Sequence, residues 1–367
     1  MSCRHFTSLA RMAIMVMCVS LLTVPVVGQS APGAESWAAP RTVDGHPDLQ
    51  GVWTNETITP FERGTNFAYS GISVPESAAD KAVFTEEEAA RFATLTAEDR
   101  EANFGYTNRS LDAGTQLLST RQTSLVVHPQ TGRVPVRAWA ETERDNNRAR
   151  ERDDYRHMSV WDRCMTRGIP GSMFPAGYNN AYRIIQMPDV VVILYEMIHD
   201  VRVIPMDDRP RLNGKVRQWM GDARGYWEGD TLVVTTTNFN NRGMIASSGG
   251  GGRIKGVPVS EALHVVERFT RTSASEIFWE VTIEDPEVYE GPWAVSMPLT
   301  RNLDYVMFEY ACHEGNRDVP LLLEGRLAEE LSEAQSRLVD PKNTRRRRVL
   351  PAERINVLPG AAGIFPP

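Results

Sequence analysis

Cysteine is scarce: four residues in 367, with no C-x-x-C pair. That excludes the structural zinc sites built from three or four clustered thiolates. Long apolar runs are also rare. Only Met12–Val27 stays uncharged and largely apolar for any length, and at about 16 residues it falls short of the roughly 20 that span a bilayer. Positive charge is in deficit, with 40 Lys and Arg against 47 Asp and Glu and a net charge of −7. A nucleic-acid footprint needs a basic face, so no nucleic-acid partner is expected. No H-x-H or H-E-x-x-H spacing, no G-x-S-x-G and no glycine loop followed by Lys-Ser/Thr is present, so neither a metal, a serine-hydrolase elbow nor a phosphate cradle announces itself. No cofactor is expected.

What is present begins with an export pattern. Arg4, His5 and Arg11 give a basic start, Met12–Val27 follows, and Val26 and Gly28 stand at the −3 and −1 positions of a cleavage site before Gln29. Residues 1–28 therefore read as a signal peptide, with an uncleaved anchor as the alternative. That segment carries two arginines and no acid, so cleavage changes the net charge from −7 to −9. The expected location is periplasmic or secreted. Cys3 and Cys18 leave with the signal, and Cys164 and Cys312 remain. In an oxidising compartment two remaining cysteines predict one disulfide, with two buried free thiols as the alternative.

Residues 29–47 are rich in Ala, Pro, Ser and Gly and read as a flexible leader. Asp48–Trp53 reads as a first strand. Thr85 with Glu88 forms a capping box ahead of Ala89, Phe92 and Leu95 at helical spacing. Thr123–Val127 reads as a short strand ended by a Pro-Gln-Thr-Gly turn. Residues 141–157 hold six acids and five arginines, the pattern of a solvated helix or loop inserted over the domain surface. From residue 182 the pattern is nearly all strand: Arg183–Met187, Val190–Glu196, Val201–Pro205, Val216–Met220, Tyr226–Glu228, Thr231–Phe239, Leu263–Arg271, Ile277–Glu284, Trp293–Leu299 and Tyr305–Cys312. Gly229-Asp230 is a two-residue hairpin signal, and Ser247–Gly252 reads as a flexible loop. Strands joined by tight turns without intervening helices predict a mainly β fold, an antiparallel β-barrel with N-terminal helical and loop decoration. The expected layout is one barrel domain over 48–322, with the insertion at about 85–160, then a C-terminal helix (about Leu323–Leu338) and tail over 323–367 holding Arg345–Arg348.

Several stretches are specific in combination. They are Asp162-Arg163-Cys164, Gly168-Ile169-Pro170-Gly171, Arg217-Gln218-Trp219-Met220-Gly221-Asp222, Trp227-Glu228-Gly229-Asp230-Thr231-Leu232-Val233-Val234, Leu263-His264-Val265-Val266-Glu267-Arg268-Phe269 and Glu309-Tyr310-Ala311-Cys312. Together they resemble a large family of secreted bacterial proteins without an assigned function. The resemblance implies secretion and a lipocalin-like barrel, and it brings no catalytic assignment. The glycines at 249–252 look like an insertion relative to that family.

Candidate site residues follow from alternation. Leu263, Val265, Glu267 and Phe269 share the more apolar face of one strand, which points Glu267 inward. A buried carboxylate needs a partner or a raised pKa. It is then a general acid or base, a ligand anchor, or half of a structural ion pair with an arginine such as Arg202 or Arg268. Glu196 is a second inward candidate. His199, His264 and His313, with Asp200 and Glu314 beside two of them, are separate network histidines unless they converge. Trp219, Trp227, Trp279, Trp293, Tyr182, Tyr195 and Tyr310 are either core or a surface that stacks on a flat or sugar-like ligand. Two functions stay open. One is binding of a small apolar or aromatic ligand in the lumen by Trp219, Trp227, Arg202 and Glu267. The other is acid/base chemistry (a hydrolase, lyase or isomerase) using Glu196, His264 or Glu267.

Overall fold

Ten strands, all paired antiparallel, make one sheet in the computed structural model, which describes residues 37–68, 72–104, 114–301 and 303–339. The strands are β1 (Gly51–Thr54), β2 (Val126–His128), β3 (Ala181–Met187), β4 (Val190–Tyr195), β5 (Val201–Pro205), β6 (Asp222–Glu228), β7 (Thr231–Thr237), β8 (His264–Ser273), β9 (Glu276–Glu284) and β10 (Trp293–Thr300). Helices are α1 (Glu76–Ala79), α2 (Glu86–Phe104), α3 (Ala138–Arg150) and α4 (Asp318–Val339). The chain divides into two units, 1–38 and 39–367, and the fold lies in the second. Residues 1–28, read above as a signal peptide, and Arg345–Arg348 fall outside the described residues. Among the described residues no helix is long and apolar enough to cross a membrane.

The sheet order is β5-β4-β3-β1-β10-β9-β8-β7-β6, with β2 added beside β10. It is a nearly closed barrel made of two meanders joined through β1. Strict alternation curls it: in β8, Val265, Glu267, Phe269 and Arg271 are buried while the residues between them are half-exposed. A strand with one apolar face must turn that face to the core. Trp53, Tyr182, Phe269 and Trp279 from four strands meet inside and are within 2% of full burial. A water-sized void would leave its walls accessible, so the lumen around these residues is packed with side chains. Gly229 opens the β6–β7 turn at φ +57°, a conformation that favours glycine, and Glu228 pairs with Thr231 across it.

β5 and β6 are the two ends of the order and are not paired to each other. They nevertheless touch: a Cβ on Gly225 would stand 2.9 Å from Ile204 Cγ2 and closer still to Met206 Sδ, so side chains from the β5 end pack directly on the β6 backbone. Tyr195 N–H donates to Asp200 O and Met206 N–H to Asp189 O, both at 2.9 Å, which sets the phase of the β4–β5 ladder. By that phase the backbone groups of Val201 and Val203 point away from β4, into the seam.

Five expectations change. Residues 40–47 are not a flexible leader: Asp48 N–H donates to Pro40 O at 2.7 Å, His46 stacks on Trp227, and Arg41 pairs with Asp230 at 2.9 Å. Val216–Met220 is a loop with one bridge, Gln218 to Phe239. Tyr305–Cys312 is irregular, held by side chains instead of a ladder. Ser247–Gly252 is packed, not a loose loop: it runs into a 3₁₀ turn (Gly249–Ile254) in which Gly250, Gly251 and Ile254 are buried. The charged stretch at 141–157 begins within α3 and is not simply a solvated face. Arg144 is buried and donates to Arg253 O at 2.8 Å, while Arg253 grips Glu62 at 2.8 Å and also pairs with Glu141. The capping box is present as read, with Glu88 N–H donating to Thr85 Oγ1 at 3.1 Å and Thr85 N–H to Glu88 Oε2 at 2.9 Å.

Candidate functional site

Glu267 lies on β8 between Val234 of β7 and Val281 of β9 and is fully buried. Its partner is Arg202 of β5, whose Nη2 stands 2.6 Å from Glu267 Oε2 and donates to Thr236 Oγ1 at 2.7 Å. Trp279 Nε1–H donates to Glu267 Oε1 at 3.3 Å. Arg268, the other candidate partner, faces outward and pairs with Glu228 at 2.9 Å. The ion pair therefore spans the barrel interior, tying the β5 edge to strands far from it in the sheet order. Burial opposes the charge on Arg202, but Glu267 and Tyr195 outweigh it and its pKa rises, so the guanidinium stays charged. Burial pushes the Tyr195 hydroxyl well above its ordinary range. Nε and Nη1 of Arg202 and the hydroxyl of Tyr195 are buried and make no hydrogen bond of ordinary geometry with the described residues. These atoms are shut off from solvent, and Arg202 and Tyr195 lie near enough to perturb each other's titration.

Arg202 also borders a cleft. This cleft, of about 580 Å³, opens along the seam where β5 and β6 begin, lined by Arg202, Val203, Trp219, Met220 and Ala223 among others. The unpaired edge explains its position: β5 and β6 touch at Gly225 and part toward Val201 and Gly221. Trp219 and Met220 are half-buried on the loop that covers the opening. Asp200 stands on the rim, accepting from Thr166 Oγ1 at 2.8 Å, and burial raises its carboxyl pKa against the pull of Thr166 and the Arg167 amide.

The remaining candidates separate. Trp227 sits four residues beyond Ala223 on β6, about 13 Å along the strand, with its ring stacked on His46 at 4.7 Å and 5°. It does not line the seam cleft. His264 is on the outer face of β8, with Glu284 at 3.8 Å, so it does not meet Glu267. Glu196 is buried and accepts from Tyr305 Oη at 2.8 Å and from Phe308 N–H at 2.7 Å. It pins the irregular segment 303–317 to the end of β4. The same segment is held by the Cys164–Cys312 disulfide, with Cα atoms 5.6 Å apart, and by a 2.6 Å hydrogen bond between His199 Nδ1 and Tyr310 O. Among the described residues no group of three His, Cys, Asp or Glu is placed to hold a metal ion.

The structure thus brings Arg202, Glu267 and Trp219 into one region and leaves Trp227, His264 and Glu196 outside it. Sequence reading passed over Met165, Gln218, Met220 and Asp200 as members of one cleft. The one signal available is the run of polar and aromatic residues at 217–222, which overlaps the Val216–Met220 stretch whose composition reads as a strand. No family model, curated protein or solved structure matches this chain.

Proposed function

We propose that the chain is an exported barrel that binds a small ligand with a flat apolar part. The ligand enters at the seam between β5 and β6, because the lumen is filled. Its apolar body lies against Trp219 and Met220, and a polar or anionic group is drawn toward Arg202, whose charge lies behind the cleft wall. The observation that carries this reading is a cleft at the unpaired seam that sets Trp219 and Met220 beside the buried charge of Arg202. Ligand sites combine apolar walls with a few fixed polar groups in this manner. Export, and membership of the secreted family that the motifs resemble, are part of the same proposal, and the disulfide is consistent with an oxidising compartment.

A second reading, acid/base chemistry in the same cleft, draws support from the raised pKa of Asp200 on the rim. Glu267 and Glu196 serve it less well, since each carboxylate is already engaged by internal donors.

Calorimetric titration with 2-naphthoate, a flat aromatic acid, tests the proposal. Saturable binding should weaken at least tenfold in Trp219→Ala and stay unchanged in Trp227→Ala. Binding that survives Trp219→Ala, or no binding to the parent chain, sinks it.

A further inference from the structure

We infer that a second site, separate from the seam cleft, takes an organic cation: a quaternary or protonated amine. It lies against the segment 303–317, in a cleft of about 440 Å³ beside the Cys164–Cys312 disulfide. Three aromatic residues line it. Tyr178 and Tyr310 have nearly parallel rings, 6.2 Å apart at 14°, and Trp161 is tilted against Tyr178 at 6.1 Å. Three carboxylates, Asp162, Glu309 and Glu314, share the lining with a single cation, Arg317. The balance of formal charge in the lining is therefore negative.

Aromatic faces carry negative electrostatic potential at their centres and attract a cation that sheds its water readily. A quaternary ammonium has no N–H to satisfy, so aromatic walls replace its weak hydration at little cost. The carboxylates supply long-range attraction, which salt screens. A neutral or anionic ligand gains nothing from the carboxylates.

The site is held rigidly although its segment has no regular secondary structure. Glu196 holds Tyr305 and Phe308, His199 holds the Tyr310 carbonyl, the disulfide holds Cys312, and Asn316 Nδ2–H donates to the Asp162 carbonyl at 3.3 Å. Each anchor flanks an aromatic or acidic lining residue. Anchoring of this kind limits the ordering cost of binding.

The test is a calorimetric titration of the full chain with choline and with 3,3-dimethylbutan-1-ol, its neutral isostere. Choline should bind with a dissociation constant of about 1 mM or tighter, and the isostere at least tenfold more weakly. Tyr310→Leu should reduce choline affinity at least tenfold, and the exposed pair Glu309→Gln/Glu314→Gln several-fold, with the remaining affinity less sensitive to salt. If Tyr310→Leu fails to fold, the glutamine pair alone decides. Equal binding of choline and its isostere, no choline binding, or unchanged affinity and salt dependence in the glutamine pair overturns the inference. Tighter binding of glucose than of choline would overturn it as well.

Discussion

Two buried glutamates anchor the two regions of this molecule in different ways. Glu267, inside the barrel, meets an arginine at 2.6 Å, and the pair links strands that are not neighbours. Glu196, at the end of β4, meets no cation in hydrogen-bond reach among the described residues and is held by a tyrosine hydroxyl and a backbone amide. Both are within 1% of full burial. The contrast lies in what each carboxylate organises. Glu267 holds the open edge of a barrel against its far wall, so its loss is felt by the whole sheet. Glu196 holds an irregular strap, so its loss is felt by that strap and the cleft beside it.

Cutting the ion pair should produce the larger effect. Glu267→Ala leaves the Arg202 charge buried without its partner, and breaking such a pair costs about 3–5 kcal/mol. Urea unfolding monitored by tryptophan fluorescence should show that loss in the midpoint. The double variant Glu267→Leu/Arg202→Met should recover most of it, since apolar replacements of similar volume are often neutral. If Glu267→Ala is as stable as the parent, the pair does not hold the seam, and the comparison fails at its first term.

The strap gives a smaller and more local response. Glu196→Gln keeps one acceptor oxygen but loses the charge that strengthens two hydrogen bonds, a cost of about 1 kcal/mol. The barrel should unfold with nearly the parent midpoint. Hydrogen exchange should rise at Phe308 and its neighbours, and choline affinity should fall with it. A global loss matching that of Glu267→Ala would show that the strap and the barrel are one cooperative unit.

The difference between these regions also governs how far the sequence could be read. The barrel was legible because strand alternation is local. Leu263–Arg271 alternates cleanly, Gly229-Asp230 marks its turn, and Arg202 stood among the named partners of Glu267. The strap was not legible, because Tyr305–Cys312 has the aromatic and β-branched content of a strand while its actual partners, Glu196, His199 and Cys164, lie more than a hundred residues away. The same holds for the seam cleft. Val216–Met220 resembles a strand in composition, but β5 and β6 are edges only by virtue of the sheet order, which no local pattern encodes. The glycines at 249–252 read as loose for a similar reason: what packs Gly251 is Ala246, across a turn that the repeat of glycines conceals.

The smallest expected effect belongs to the rim of the seam cleft and separates its two readings. Burial raises the Asp200 carboxyl pKa in the folded chain, with Thr166 and the Arg167 amide pulling against it. A folded-state pKa above the unfolded value means that the folded chain binds the proton more tightly. The resulting stabilisation is fully present below the unfolded pKa and is lost as pH rises through the folded one. In Asp200→Asn that pH-dependent contribution disappears. Parent and variant should therefore differ in the slope of unfolding free energy between the ordinary carboxylate pKa and neutrality, the parent losing more stability as pH rises. Urea midpoints taken across that range measure it. Parallel slopes would mean that Asp200 titrates as it does in water, which would remove the support for acid/base chemistry at the seam. If the slopes diverge, the binding of 2-naphthoate gives the next discrimination. An ionised Asp200 beside Arg202 repels the anion, so affinity in the parent should weaken with rising pH and in Asp200→Asn should not. Affinity independent of pH in both proteins would place the bound carboxylate away from Asp200 and leave Trp219 and Met220 as the part of the cleft that holds the ligand.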